Sequence, residues 1–231
     1  TDNDTRVRAT AATHVASFGK PSEVAMNQLW MASQDSESEV RANATFAILS
    51  LDLESEQIRR LLSRALKDPA EPVRRLAMKG LLDNRELALP FLSYLIAALD
   101  SPASEIRLQA AETISGLGQE AGKAVDALTQ ALEDEEPKVQ VAAARTLGRL
   151  GPAAEPAIDA LSQRVTQESE TLALACIESL SGLGRTAQGA GKQLYNALGD
   201  SRSAIRSRAI EALAKCDPDL NAVVIAARKL L

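Results

Sequence analysis

Apolar positions recur along this chain at two spacings at once. Locally they fall four and eight residues apart, which is one face of a helix with 3.6 residues per turn. Over the whole chain the pattern returns every 33 residues, and 231 residues hold seven copies of it. The pair Val7-Arg8 steps to Val40-Arg41, Val73-Arg74, Ile106-Arg107, Val139-Gln140, Leu172-Ala173 and Ile205-Arg206 without a slip of phase. Positions are numbered below by their distance from this apolar anchor, which is column 0. Column 4 is small in every copy (Ala11, Ala44, Ala77, Ala110, Ala143, Cys176, Ala209), and column 8 is large and aliphatic (Val15, Ile48, Leu81, Ile114, Leu147, Leu180, Leu213). Each copy therefore predicts a helix with an apolar stripe, crossed closely by another helix at its small residue. These second helices are expected near 5–18, 38–51, 71–83, 103–117, 136–150, 169–183 and 202–215.

Column 22 carries Leu29, Leu62, Leu95, Leu128, Leu161 and Leu194 inside another helical pattern, the first helix. Between second and first helices stand Gly19, Gly118, Gly151 and Gly184, with Pro21 and Pro152 close behind; such glycines supply the left-handed residue of a C-terminal cap, and proline forbids continuation. Between first and second helices the strings KDPAEPVRR, LDSPASEIR and EDEEPKVQ offer Asp, Ser and Pro for an N-cap and first turn. A last first helix is expected from Asp219 to Leu231, where AVVIAARKLL is apolar on more than one side. Repeat arrays normally end in copies with a polar outer face. The expectation is thus a single solenoid domain over residues 1–231, cut from a longer protein.

No strand pattern competes, and repeats of this length fall to a few helix-pair architectures. Ankyrin copies would show T-P-L-H near a helix start, whereas the single histidine, His14, is elsewhere; tetratricopeptide copies need aromatic positions, and the chain has one Trp and two Tyr. The strings DPAEPVRRLAMKGLL (Asp68 to Leu82) and DSRSAIRSRAIEAL (Asp200 to Leu213) resemble the short bacterial, phycobilisome-lyase-like type of HEAT repeat. That resemblance runs from end to end and implies an all-α fold, a right-handed α-α superhelix of about seven 33-residue helix pairs. HEAT families carry Asp and an Arg six residues later as a stacking ladder, which implies that role for Asp35, Arg41, Asp68, Arg74, Asp200 and Arg206. In the fifth and sixth copies the pair reads Asp134/Gln140 and Gln167/Ala173, taken as drift.

Composition narrows the chemistry. With 45% hydrophobic but only 3% aromatic residues, the core is aliphatic. A net charge of −5 repels phosphate backbones, so no nucleic-acid partner is expected. Nothing approaches a membrane span or a secretion signal. The expectation is a soluble protein, with the cytoplasm the favoured place. Two Cys and one His are too few for a soft-metal site, and Cys176 and Cys216 read as small core residues. No cofactor or metal is expected. No nucleophile elbow, phosphate loop or H-E-x-x-H occurs, and G-L-G at Gly116 to Gly118 ends a helix, so no enzyme is expected.

Columns 0, 4, 8 and 11 point inward, so columns 3, 6 and 10 of each second helix should face the other way, onto the concave surface of a HEAT superhelix. The candidate partner-binding residues on that face are Phe46, Lys79, Glu112, Arg145, Arg149, Glu178, Arg208, Glu211 and Lys215. Phe46 and the Arg145/Arg149 pair lead, because aromatic residues and arginine are enriched in protein interfaces. Trp30 and Tyr195 share column 23 of the first helix with Ser63, Ile96, Thr129 and Ser162, a variety that fits half-exposed surface packing. The expected function is a non-catalytic, monomeric scaffold for another protein. The resemblance alone supplies an alternative, a bilin lyase-like subunit acting on a phycobiliprotein.

Overall fold

The computed structural model describes residues 2–17, 21–51, 53–167 and 169–216. Gly19 and the helix expected from Asp219 to Leu231 lie outside the described residues. The chain is all helical there and divides into two compact units, Thr1–Leu87 and Ala88–Leu231. The first unit holds α1 (Thr5–Ser17), α2 (Glu23–Ala32), α3 (Ser38–Leu49), α4 (Ser55–Ala65) and α5 (Glu71–Asp83). The second holds α6 (Leu92–Ala98), α7 (Ser104–Leu117), α8 (Val125–Ala131), α9 (Pro137–Arg149), α10 (Ile158–Ser162), α11 (Glu170–Leu183), α12 (Gly191–Ala197) and α13 (Ser203–Cys216). Odd-numbered elements are the second helices, each within a few residues of its expected place. They stack in sequence within each unit, and every first helix packs on the second helix that follows it.

The core is the set of repeated columns. Val40, Ala44, Ile48 and Leu62 in the first unit, and Ile106, Ala110, Ile114 and Leu128 in the second, are fully buried. The first copy differs: Val7 is 49% exposed, and Ala11 is exposed too. In later copies this side of the second helix is covered by the first helix before it, as α2 covers α3; among the described residues α1 has no such cover.

The links follow from local chemistry, with two departures from expectation. Gly118, Gly151 and Gly184 have φ of 56°, 62° and 57°. At Gly118 and Gly184, however, ψ is −137° and −132°, a combination a Cβ forbids and distinct from the left-handed helical cap. Each of the three opens a stretch of 3-10 helix leading into the next first helix (Gly118–Ala124, Gly151–Ala157, Gly184–Ala190). Nor are the turn aspartates N-caps. Asp35, Asp68 and Asp134 each stand two residues before the N-cap and accept the N–H of Glu37, Ala70 and Glu136 at 3.0, 2.9 and 2.8 Å. These are Asx turns that set the entry to the helix.

Candidate functional site

Column 6 is exposed in every copy: Thr13, Phe46, Lys79, Glu112, Arg145, Glu178 and Glu211. The frame dictates this, because from the second to the sixth copy columns 5 and 7 on either side are buried in the seams between second helices. Thr146 Oγ1, in column 7, lies 3.0 Å from Ala111 O and 2.7 Å from Ala142 O. Ser179 Oγ repeats the arrangement one copy later, 2.7 Å from both Ala144 O and Ala175 O. Each hydroxyl shares one proton between its own helix and the one before it. Gly148 allows the approach: a Cβ there would stand 2.7 Å from Ser179 Cα.

All nine candidate contact residues are exposed. Column 3 contributes less than expected: Asn43, Leu76, Gln109 and Ala142 are half-buried and Ala175 is buried. The reason is the seam, where Asn43 Nδ2 donates to Ala9 O at 3.3 Å. The face therefore consists of columns 6 and 10, with column 3 as its rim. In the first unit Phe46, 49% exposed, stands among the small Thr13 and Ser50, with the charged Lys79 and Asp83 at one side. In the second unit it is a charged strip. Arg208 Nη1 donates to Glu211 Oε2 at 2.8 Å, which raises the guanidinium's pKa, and its Nε stands 3.8 Å from Glu178 Oε1. Both pairs are about half-exposed and so weak. Arg145, Arg149 and Lys215 have no ion pair among the described residues and present their five- and three-donor heads to solvent. Gly182 leaves a hollow of about 240 Å³ bounded by Glu178, Arg208, Glu211 and Lys215. It is smaller than usual small-molecule sites and fits one side chain.

The ladder residues form something other than six-residue pairs. Arg8, Arg41 and Arg107 each hold their own turn through Nη1 and fork the aspartate 27 residues ahead. Arg8 takes Asp35 at 2.8 and 3.0 Å, and Arg41 takes Asp68 at 2.8 Å twice. Arg107 takes Asp134 at 2.7 and 2.8 Å, a rung that the six-residue spacing passes over. These forks hold the carboxyls of Asp35 and Asp68 below the usual carboxylate range, Asp35 to about 2; at Asp134 burial is the largest single influence and pushes up, yet the Arg107 fork and charge together with the N–H of Glu136 leave the carboxyl lowered. Among the described residues Arg74 and Arg206 make only the turn half, at Asp68 O and Pro69 O and at Asp200 O and Ser201 O. Asp200, with Ala173 where an arginine would stand, is forked instead by Arg202 at 2.8 and 2.7 Å.

Arg164 escaped the sequence reading. Its column holds Ala32, Ala65, Ala98, Ala131 and Ala197 in the other copies, and that contrast was visible in the repeat. It is 4% exposed, donates through Nη1 to Ala160 O at 2.6 Å and pairs through Nη2 with Glu133. It stands beside Cys176, whose thiol burial pushes up to about 12 despite that charge. Cys216 is buried too, its Sγ 3.2 Å from Leu180 O, so both thiols are closed off from solvent. His14 is exposed and hydrogen-bonds Thr10 O at 2.9 Å. Trp30 is half-buried against the core cluster of Leu29, Ala44 and Ile48, and Tyr195 is half-buried as well. Among the described residues no group of three or more His, Cys, Asp or Glu could hold a metal ion, and no helix is long and apolar enough to cross a membrane.

Comparison with known proteins agrees with this geometry. A sequence model of HEAT repeats matches residues 92–181. Two crystal structures of engineered proteins are similar: one at 17% identity over 87% of this chain and 97% of the other, TM-score 0.65, and one at 20% over 94% and 66%, TM-score 0.68. The complex of CpcE and CpcF of phycocyanin lyase from Nostoc sp. PCC7120 is similar at 20% identity over 100% of this chain and 91% of that one, TM-score 0.50. At these identities the likeness is one of fold. No curated protein sequence matches the chain.

Proposed function

We propose that this chain of HEAT repeats is a non-catalytic scaffold that holds another protein against the exposed face of its second helices. One observation carries the reading. Column 6 is exposed in all seven copies and runs Thr, Phe, Lys, Glu, Arg, Glu, Glu, while columns 4 and 8 keep one kind of residue throughout. A frame that repeats its buried positions and varies its exposed ones displays a specific surface on a generic support. In the second unit Arg145, Arg149 and Lys215 supply the anchoring cations and the hollow beside Gly182 takes a side chain; in the first unit Phe46 is the apolar anchor.

The test is affinity capture with the native chain and with a variant carrying Phe46→Ser, Arg145→Glu and Arg149→Glu. A protein held by the native chain and lost from the variant supports the reading. The same protein held equally by both contradicts it. The second reading, a bilin lyase-like subunit acting on a phycobiliprotein, draws on the likeness in fold to the phycocyanin lyase complex. Its mark would be visible bilin absorbance passing to or from a phycobiliprotein mixed with this chain.

A further inference from the structure

The first helix of the second copy departs from the others in charge. On α4 and in the turn just after it, Arg60, Arg64 and Lys67 are exposed and stand at i, i+4 and i+7, which brings three cations along one side over roughly 10 Å at 1.5 Å per residue. The frame does not ask for them. The same columns read Asn27, Met31 and Gln34 on and after α2, and Asp126, Gln130 and Glu133 on and after α8.

Their charge is scarcely neutralised. Arg60 stands 3.4 Å from Glu56, but both side chains are more than half exposed. Arg64 and Lys67 have no ion pair among the described residues. The one carboxylate in the adjoining turn, Asp68, is already forked by Arg41, and its carbonyl is held by Arg74. Between the stripe and the Asp68-Pro69 turn runs a shallow, open groove of about 620 Å³, with Ser63 also in its lining.

We propose that this groove on α4 is a second docking surface, separate from the second-helix face, which takes an acidic helical segment of a partner protein through carboxylates at the same four- and three-residue spacing. Arginine forks and a lysine match carboxylates in number and reach. A nucleic-acid strand fits less well. The stripe is only three charges long, Ser63 stands where a stacking aromatic would be needed, and the chain as a whole is at −5.

The experiment uses the full chain and a fluorescein-labelled amphipathic peptide of about 14 residues with glutamates at i, i+4 and i+7, followed by anisotropy at low salt. The native chain should bind it. Arg60→Glu, Arg64→Glu and Lys67→Glu together should weaken binding by about tenfold or more, as should the milder pair Arg64→Gln and Lys67→Gln, which guards against misfolding of the triple variant. The same change of net charge placed at Lys123, Lys138 and Lys192 should leave affinity within about twofold. Absence of binding by the native chain overturns the proposal. So does equal weakening by both charge-reversed triples, or tighter binding of a thymidine oligonucleotide of matched charge.

Discussion

Arg41 grips Asp68 across a repeat boundary with two parallel bonds, Nε to Oδ2 and Nη2 to Oδ1, both 2.8 Å, while its Nη1 holds the carbonyls of Asp35 and Ser36, also at 2.8 Å. One guanidinium thus closes its own turn and joins the next. The carboxylate side chain is 9% exposed and the guanidinium 14%, so neither partner is well solvated if the other is lost. Asp68→Asn should lower the free energy of unfolding by about 2 kcal/mol. Asp126→Asn, at an exposed carboxylate on α8, should change it by less than about 0.5 kcal/mol. Urea unfolding followed by circular dichroism compares the two directly.

The rungs also set an acid limit. The forks depress the pKa of Asp35 and Asp200 to about 2, chiefly through the hydrogen bonds from Arg8 and Arg202. Because the folded-state value lies below the unfolded one near 3.9, this stabilisation is complete above about pH 4 and is lost as pH falls toward 2. The native chain and Asp35→Asn should therefore differ in stability at pH 7 and converge near pH 2. A constant difference across that window would show that the Asp35 pair does not titrate as the fork requires.

Arg164 fills a place that alanine holds in the other copies. Its partner Glu133 is 78% exposed, so that charge is solvated once the arginine is gone; the loss is mainly the buried stem and the bond to Ala160 O. Arg164→Ala restores the column's usual residue and should nevertheless cost about 1–3 kcal/mol, because the copies around it have adapted to the larger side chain. Arg164→Met, which keeps the stem's volume, should recover most of that. A neutral Arg164→Ala would mean that the buried arginine is not part of the packing.

Seams between second helices respond locally. Gly148→Ala drives a methyl into Ser179, and Ala143→Leu overfills a fully buried column, each costing about 1–3 kcal/mol. Each repeat touches chiefly its neighbours, so hydrogen exchange should quicken in α7, α9 and α11 and remain unchanged in α13. Uniform quickening along the whole second unit would contradict nearest-neighbour coupling.

The helices and their inward stripes were legible because a 33-residue period repeats the same apolar columns seven times, buried in every copy but the first, where Val7 and Ala11 are exposed. An exposed column is equally legible, as Phe46 and Arg145 show. What the period concealed were contacts spanning two copies. The Arg107–Asp134 fork is invisible when aspartate is sought six residues before its arginine, since Ser101 stands there, and plain when it is sought 27 residues after. The full burial of Ala175 depends on how closely α9 and α11 approach, which Gly148 permits and the Ser179 hydroxyl bridges, and the half-burial of Asn43 on the approach of α3 to α1 at Ala9 O, and neither distance is written in the stripe of one helix. Arg164 was concealed differently: a charged side chain in a core column reads as a surface residue until its column is compared across copies.

The most direct test of the scaffold reading is hydrogen exchange of the native chain with and without the protein captured by it. Binding on the second-helix face predicts slowed exchange in α9, α11 and α13 at and beside Arg145, Glu178 and Glu211, with α8, α10 and α12 unchanged. Protection confined to those first helices would contradict it.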